Sequence, residues 1–195
     1  HYPDTLILYD ILGAAYMAIG NADKTIKSYQ KAIKLNPNHT DAYNNMSTVF
    51  YDIGKFDEAL ECCNKAVKLE PYFAGAHYNL GNILEHTGNL KKAIESYKTS
   101  LAIQPNDAEV LLNFGRVLKD YGEFDQAIEC YAKALKINPD LTNAQINMEN
   151  TAKEKAEIDN LVIDYANAVQ NKVDSAEMIS FMGTILQNRG YVDLA

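Results

Sequence analysis

The residues able to do acid–base, nucleophilic or metal chemistry are few here, and their spacing works against it. His39 falls in a segment between helical stretches, while His77 and His86 stand nine residues apart, wrong for one helix face. No histidine meets a cysteine at metal-ligand spacing. Cys62 and Cys63 are adjacent, so on a helix they point apart, and Cys63 takes an apolar core place. No glycine-rich phosphate loop follows a strand, and the carboxylates read as solvated outer faces. The expectation is a segment that is not an enzyme and has no metal site and no cofactor. What remains is a series of amides. Asn45, Asn79, Asn113 and Asn147 recur every 34 residues, flanked in phase by Ile11 and Phe181. Asparagine is a mediocre helix former, so its repeated use inside a helix carries a local cost. Its side chain both donates and accepts, and so can pair with a peptide backbone whatever the partner's side chains. The alternative is a set of solvated positions, or amides bonded along their own helix.

A series at one spacing needs a repeating element to hold it. All five prolines, Pro3, Pro37, Pro71, Pro105 and Pro139, keep the 34-residue step. Gly20, Gly54, Gly88 and Gly122 share it, with Gly190 two steps on, and so does a second set, Gly13, Gly81, Gly115 and Gly183, with Ser47 in the open place. Between these marks the apolar residues follow helical spacing. From Thr40 to Phe73, Ala42, Tyr43, Met46, Val49, Phe50 and Ile53 form one face of a first helix. Gly54 ends it, because glycine takes the left-handed cap conformation cheaply. Phe56, Ala59, Leu60, Cys63, Ala66, Val67 and Leu69 form the face of a second, which Pro71 stops. The small residues at the eighth place (Gly13, Ser47, Gly81, Gly115) and the twentieth (Thr25, Ala59, Ala93, Ala127, Ala195) let paired helices approach.

This pattern resembles the tetratricopeptide repeat, and it extends over nearly the whole chain. Tyr29, Tyr97 and Tyr131 hold that family's aromatic place, with Cys63 as the exception. The resemblance implies an all-α fold, a right-handed α-solenoid of helix–turn–helix repeats forming a single array over 1–195. Within it, 6–39, 40–73, 74–107 and 108–141 are strong repeats, 1–5 the tail of a preceding one, 142–175 a degenerate one and 176–195 a truncated one. Both ends therefore read as cuts through a longer array. In the degenerate unit Glu149 replaces the small eighth residue, Ala156 the turn glycine and Val173 the proline. A buried, unpaired Glu149 would be costly. The unit either packs loosely with its two helices partly merged, or makes an ordinary turn near Lys155 to Glu157.

The resemblance also implies a function. Repeats of this family present their first helices along a concave groove that receives extended peptides or partner helices. Here that groove would carry Asn45, Asn79, Asn113 and Asn147 as the grip. Around them it would hold Tyr78 to stack or hydrogen-bond, Asn82, and Arg116 and Lys119 to meet acidic ligand residues; Asp10, Asn44, Asp52, Glu85 and Asp120 complete it. The asparagine series, with the segment Pro37 to Met46, is similar to the repeats of the protein O-linked N-acetylglucosamine transferases and their bacterial relatives. Asp10 and Gly75 stand where a chaperone-binding carboxylate clamp would need basic residues. The expected role is an interaction module or scaffold holding a protein or peptide. The alternatives are the substrate-recruiting part of a larger glycosyltransferase, or a self-assembling scaffold, a homo-oligomer built through bare array ends or the degenerate repeat. Net charge is −8 with acids and bases interspersed, which argues against a nucleic-acid partner. No stretch is long and apolar enough to insert in a membrane, and no signal peptide is visible. With three cysteines, badly spaced for a disulfide framework, a cytoplasmic, reducing setting is expected.

Overall fold

Left-handed glycines set the turns. Gly20, Gly54, Gly88 and Gly122 have φ of 70°, 75°, 78° and 93°, where any side chain would be strained. Around Gly54 the helix closes with Gly54 N–H on Tyr51 O (2.9 Å) and Lys55 N–H on Phe50 O (2.8 Å). Second helices end differently. Asn36, Glu70, Gln104 and Asn138 have all left the helical region, at φ −133°, −131°, −127° and −130°, as a following proline favours.

The computed structural model describes residues 5–170, with 180, 183 and 184. The expected repeat 176–195 therefore lies almost wholly outside the described residues. Among those described the fold is all-α. The helices are α1 (Leu6–Ala18), α2 (Ala22–Leu35), α3 (Thr40–Asp52), α4 (Phe56–Leu69), α5 (Ala74–His86), α6 (Leu90–Ile103), α7 (Ala108–Asp120), α8 (Phe124–Ile137) and α9 (Thr142–Gln170). The first eight pair in order as helical hairpins. None is long and apolar enough to cross a membrane. The chain divides into two compact units, residues 1–105 and 106–195.

In the first unit α1–α2, α3–α4 and α5–α6 pair, and α2 and α4 pack on the hairpin that follows each. Its core gathers Tyr9, Tyr29, Ala32, Ala42, Met46, Phe50, Ala59, Cys62, Cys63 and Ile83. The close approach inside the first and third hairpins has a specific cause: a tyrosine ring lies against a glycine. A Cβ added to Gly13 would sit 2.6 Å from the Tyr29 ring, and one on Gly81 2.7 Å from Tyr97. In the second hairpin both members change together, Ser47 facing Cys63, and both are fully buried. Cys62 is buried too, and so are its equivalents Ser28, Ser96 and Cys130. This further 34-residue phase of small residues keeps the second helices close to their neighbours.

In the second unit α7 pairs with α8, where a Cβ on Gly115 would lie 2.5 Å from the Tyr131 ring. Helix α9 packs on both, burying Ile158 against Phe124 with Val162 beside them. It runs unbroken for 29 residues, so no turn forms near Lys155 to Glu157. Ala156 gives the chain no cheap left-handed stop, and the helix continues through it. Glu149 is not buried, contrary to the cost foreseen for it; it is exposed and accepts a hydrogen bond from Gln145 Nε2 at 3.1 Å. Lys155 meets Asp125 at 2.7 Å and Lys119 meets Glu154 at 3.5 Å, tying α9 to α8 and α7.

Candidate protein-binding face

The sixth place of α3 lies where that helix meets α2. In the first unit this puts Asn45 (α3) beside the Tyr29 hydroxyl, to which its Nδ2 donates at 3.1 Å. Burial pushes the Tyr29 phenol up, the Asn45 bond pulls it back, and the charges of Asp10 and Asp41 raise it further. Those two carboxylates therefore act on the same hydroxyl as the asparagine. Asp10 also holds the inter-repeat loop, its Oδ1 lying 2.7 Å from His39 Nε2.

One repeat on, the equivalent tyrosine is Cys63, and Asn79 (α5) turns elsewhere. Its Nδ2 lies 2.9 Å from Asn44 Oδ1, 3.1 Å from Thr48 Oγ1 and 3.5 Å from Ser47 Oγ. Ser47 and Thr48 spend their own hydrogens on the Asn44 carbonyl, so toward Asn79 they can only accept. That fixes the amide's orientation with its nitrogen inward. Among the described residues no bond reaches Asn45 Oδ1 or Asn79 Oδ1. Both side chains are half-buried, so the oxygens remain at an accessible face.

Tyr78 and Asn82 gather around the Tyr97 hydroxyl at the end of the first unit. Tyr97 donates toward Asn82 Oδ1 (2.6 Å) and Glu85 Oε2 (2.9 Å), and the Tyr78 ring lies 6.2 Å from the Tyr97 ring. In the second unit α7 carries Asn113, Arg116 and Lys119. Asn113 is half-buried and Arg116 exposed, while Lys119 is drawn to Glu154 of α9. Asn147, on α9, is half-buried, and its backbone carbonyl accepts from the Thr151 hydroxyl at 2.6 Å. Burial pushes the Tyr131 phenol up to about 12, Thr151 lowering it, Asp120 raising it and Arg116 lowering it again.

The tyrosine hydroxyls are the part of this face absent from the residues expected from the sequence. A signal was present: each asparagine follows the aromatic place by 16 residues, as Asn45 follows Tyr29. The cysteines show no sign of reactivity. Burial pushes the Cys62 thiol up to about 12, with Cys63, Glu61 and Glu58 adding, and the Cys63 thiol up to about 11, with Ser47 opposing. No group of three or more metal-ligating side chains occurs among the described residues.

The fold has parallels among known proteins. Tetratricopeptide-repeat models match residues 11–39, 28–61, 48–88 and 72–140. No curated protein sequence matches the chain. Among solved structures, one of MamA is 26% identical at a TM-score of 0.70, covering 88% of this chain and 94% of its own. The structure of YrrB, a TPR protein described as having an unusual peptide-binding site, is 22% identical at a TM-score of 0.67, covering 80% of each chain. The first TPR of Spaghetti (RPAP3), solved with the HSP90 peptide SRMEEVD, is 23% identical at a TM-score of 0.56, covering 57% of this chain and 91% of its own. The matched stretches run together from residue 11 to residue 140, two thirds of the sequence, over a described fold made of paired helices with the same punctuation, and the chain belongs to the tetratricopeptide-repeat family.

Proposed function

We propose that the chain is a protein-interaction module whose first-helix face holds an extended protein or peptide segment, and that it performs no catalysis itself. The observation that carries this reading is the state of Asn45 and Asn79. Each has its amide nitrogen engaged by the scaffold and its amide oxygen left at the face. A rotamer locked by neighbours loses little entropy on meeting a ligand, which favours binding. A backbone N–H is the natural partner for such an oxygen; among proteins of this fold, YrrB is described as having a peptide-binding site and RPAP3 was solved with a peptide bound. Asn113, Asn147, Tyr78, Asn82, Arg116 and Lys119 belong to the same proposal. The narrower kinship with the repeats of O-linked N-acetylglucosamine transferases, and with it a substrate-recruiting role in a larger enzyme, rests on the asparagine series and the segment Pro37 to Met46.

Peptides selected from a random library on the parent protein supply the test. Replacing Asn79 or Asn113 by Ala is expected to weaken them about two- to tenfold each, the scale of one hydrogen bond. Unchanged affinity in a folded double variant removes the asparagines from the mechanism.

A second reading has its own observation. On α1 and at its C-cap, Ile7, Leu8, Ile11 and Ile19 are 69%, 45%, 60% and 73% exposed, an apolar stripe along one helix and its end. The matching faces of α3 and α5 are covered by α2 and α4. Such a stripe supports self-association. Light scattering over a concentration range checks it, and a strictly monomeric profile ends it.

A further inference from the structure

The lysines of the first unit are segregated by helix. Not one lysine or arginine occurs on α1, α3 or α5, whereas α2, α4 and α6 all carry lysines and Lys55 lies in a turn. The charged residues of the three first helices are Asp10, Asp41, Asp52 and Glu85. Chemistry other than charge points the same way. Asn45 and Asn79 have turned their donors inward and their acceptors outward, so the polar groups they add to the face are oxygens. The histidines nearby do not offset this: His39 is held by Asp10, His77 lies on the Pro71 carbonyl, and the His86 ring packs 4.1 Å from that of Phe56.

We infer that the first-helix face of residues 1–105 selects an extended peptide bearing lysine or arginine, rather than an acidic or neutral one. This inference rests on the binding role proposed above and adds the partner's charge to it. Charge complementarity argues for it. Coulombic attraction on a partly exposed face acts over roughly 8 Å at physiological ionic strength, enough to span neighbouring helices. Lysine and arginine have donors and no acceptor, as an acceptor-lined face requires. The lysines lie on the other helix of each hairpin; Lys24 and Lys31 reach the α1 rings of Tyr16 and Tyr9, at 5.1 Å each, whereas α3 and α5 carry the acids Asp41, Asp52 and Glu85.

The test uses the whole chain and a fluorescein-labelled unstructured peptide with spaced lysines, beside the same peptide carrying Gln or Glu at those positions. Anisotropy is read at low and at physiological ionic strength. The Lys peptide is expected to bind about fivefold or more tightly than the Gln peptide, on the scale of a few exposed charge pairs, with the Glu peptide weakest and added salt narrowing the gap. A double variant, Asp41→Asn with Glu85→Gln, should weaken the Lys peptide about fivefold and leave the Gln peptide unchanged. Removing equal charge from second helices, Glu61→Gln with Glu95→Gln, should change it by less than about twofold. Both pairs are near-isosteric, and circular dichroism confirms folding. Equal affinity for the Lys and Gln peptides overturns the inference, and so do equal effects of the two double variants, which would mean net charge alone. If charge is without effect while Asn79→Ala weakens all three peptides, the binding role stands and only its selectivity falls. If none of the peptides binds, both fall.

Discussion

At the residue scale the informative unit is a pair of side chains. Gly13, Gly81 and Gly115 are bare because Tyr29, Tyr97 and Tyr131 lie on them, at distances no Cβ would tolerate. Ser47 and Cys63 are the same pair rewritten, the smaller thiol making room for the larger hydroxymethyl. This makes a quantitative expectation. Cys63→Tyr alone overpacks the second hairpin and is expected to destabilise by about 1–3 kcal/mol. Adding Ser47→Gly should recover most of that loss, so a double-mutant cycle in urea gives a favourable coupling above about 1 kcal/mol. Additive effects would show that the two positions do not sense each other. The new tyrosine would also restore to Asn79 the hydroxyl that Asn45 finds on Tyr29. In the sequence Ser47 and Cys63 are visible as two separate exceptions. That they compensate each other is visible only once the helices are packed.

Helices obey their stop signals, and α9 is the case where the signal is missing. Where Gly88 stands at φ 78° a first helix ends; where Ala156 stands in its place the helix runs on. Two substitutions separate a turn from a helix interior. Gly88→Ala forces a side chain into the left-handed region and should cost about 1 kcal/mol or more. Ala156→Gly should also destabilise, by about 1 kcal/mol, because glycine is a poor residue inside a helix. Thermal unfolding followed by circular dichroism reads both, and a stabilising Ala156→Gly would mean that a turn, not a helix, occupies this position. Glu149 is explained at the same scale. An eighth residue must be small only where a partner helix lies on it, and α9 leaves Glu149 exposed. The sequence of this unit left open whether its two helices merge or turn, because a missing glycine removes a preference without imposing the alternative.

For the molecule as a whole, stability is the sum of many short-range hairpin and neighbour contacts. Its buried ionisable groups make that sum depend on alkaline pH. The Cys62, Cys63 and Tyr131 groups are raised to about 12, 11 and 12, above ordinary values of 9.0, 9.0 and 10.0, and Tyr29 is raised as well. A raised acid is held neutral in the folded state. Its contribution is therefore intact below the unfolded value and is lost as pH climbs through the folded one. The urea midpoint should stay level through these groups' neutral range and fall from about pH 9 toward about pH 12. Replacing Cys62 and Cys63 by Ala should flatten the early part of that fall, and an unchanged slope would assign it to other groups. Native thiols should likewise react slowly with a thiol reagent at neutral pH and promptly once unfolded.

Amino-acid order alone determined the period, the helix pairs, the all-α repeat fold and the asparagine series, because each depends on local rules. Proline lacks an amide proton, glycine alone takes the left-handed cap cheaply, and apolar residues at helical spacing must share a face. Tertiary structure alone decided which way the amides of Asn45 and Asn79 turn, that Tyr29 meets the first and Asn44 with Thr48 the second, and that Cys62 is buried beside Cys63. The physical reason is that a hydrogen bond is assigned by competition among every donor and acceptor within reach. For Asn79 those competitors lie 31 to 35 residues away in the chain and come within 3.5 Å only when the repeats stack.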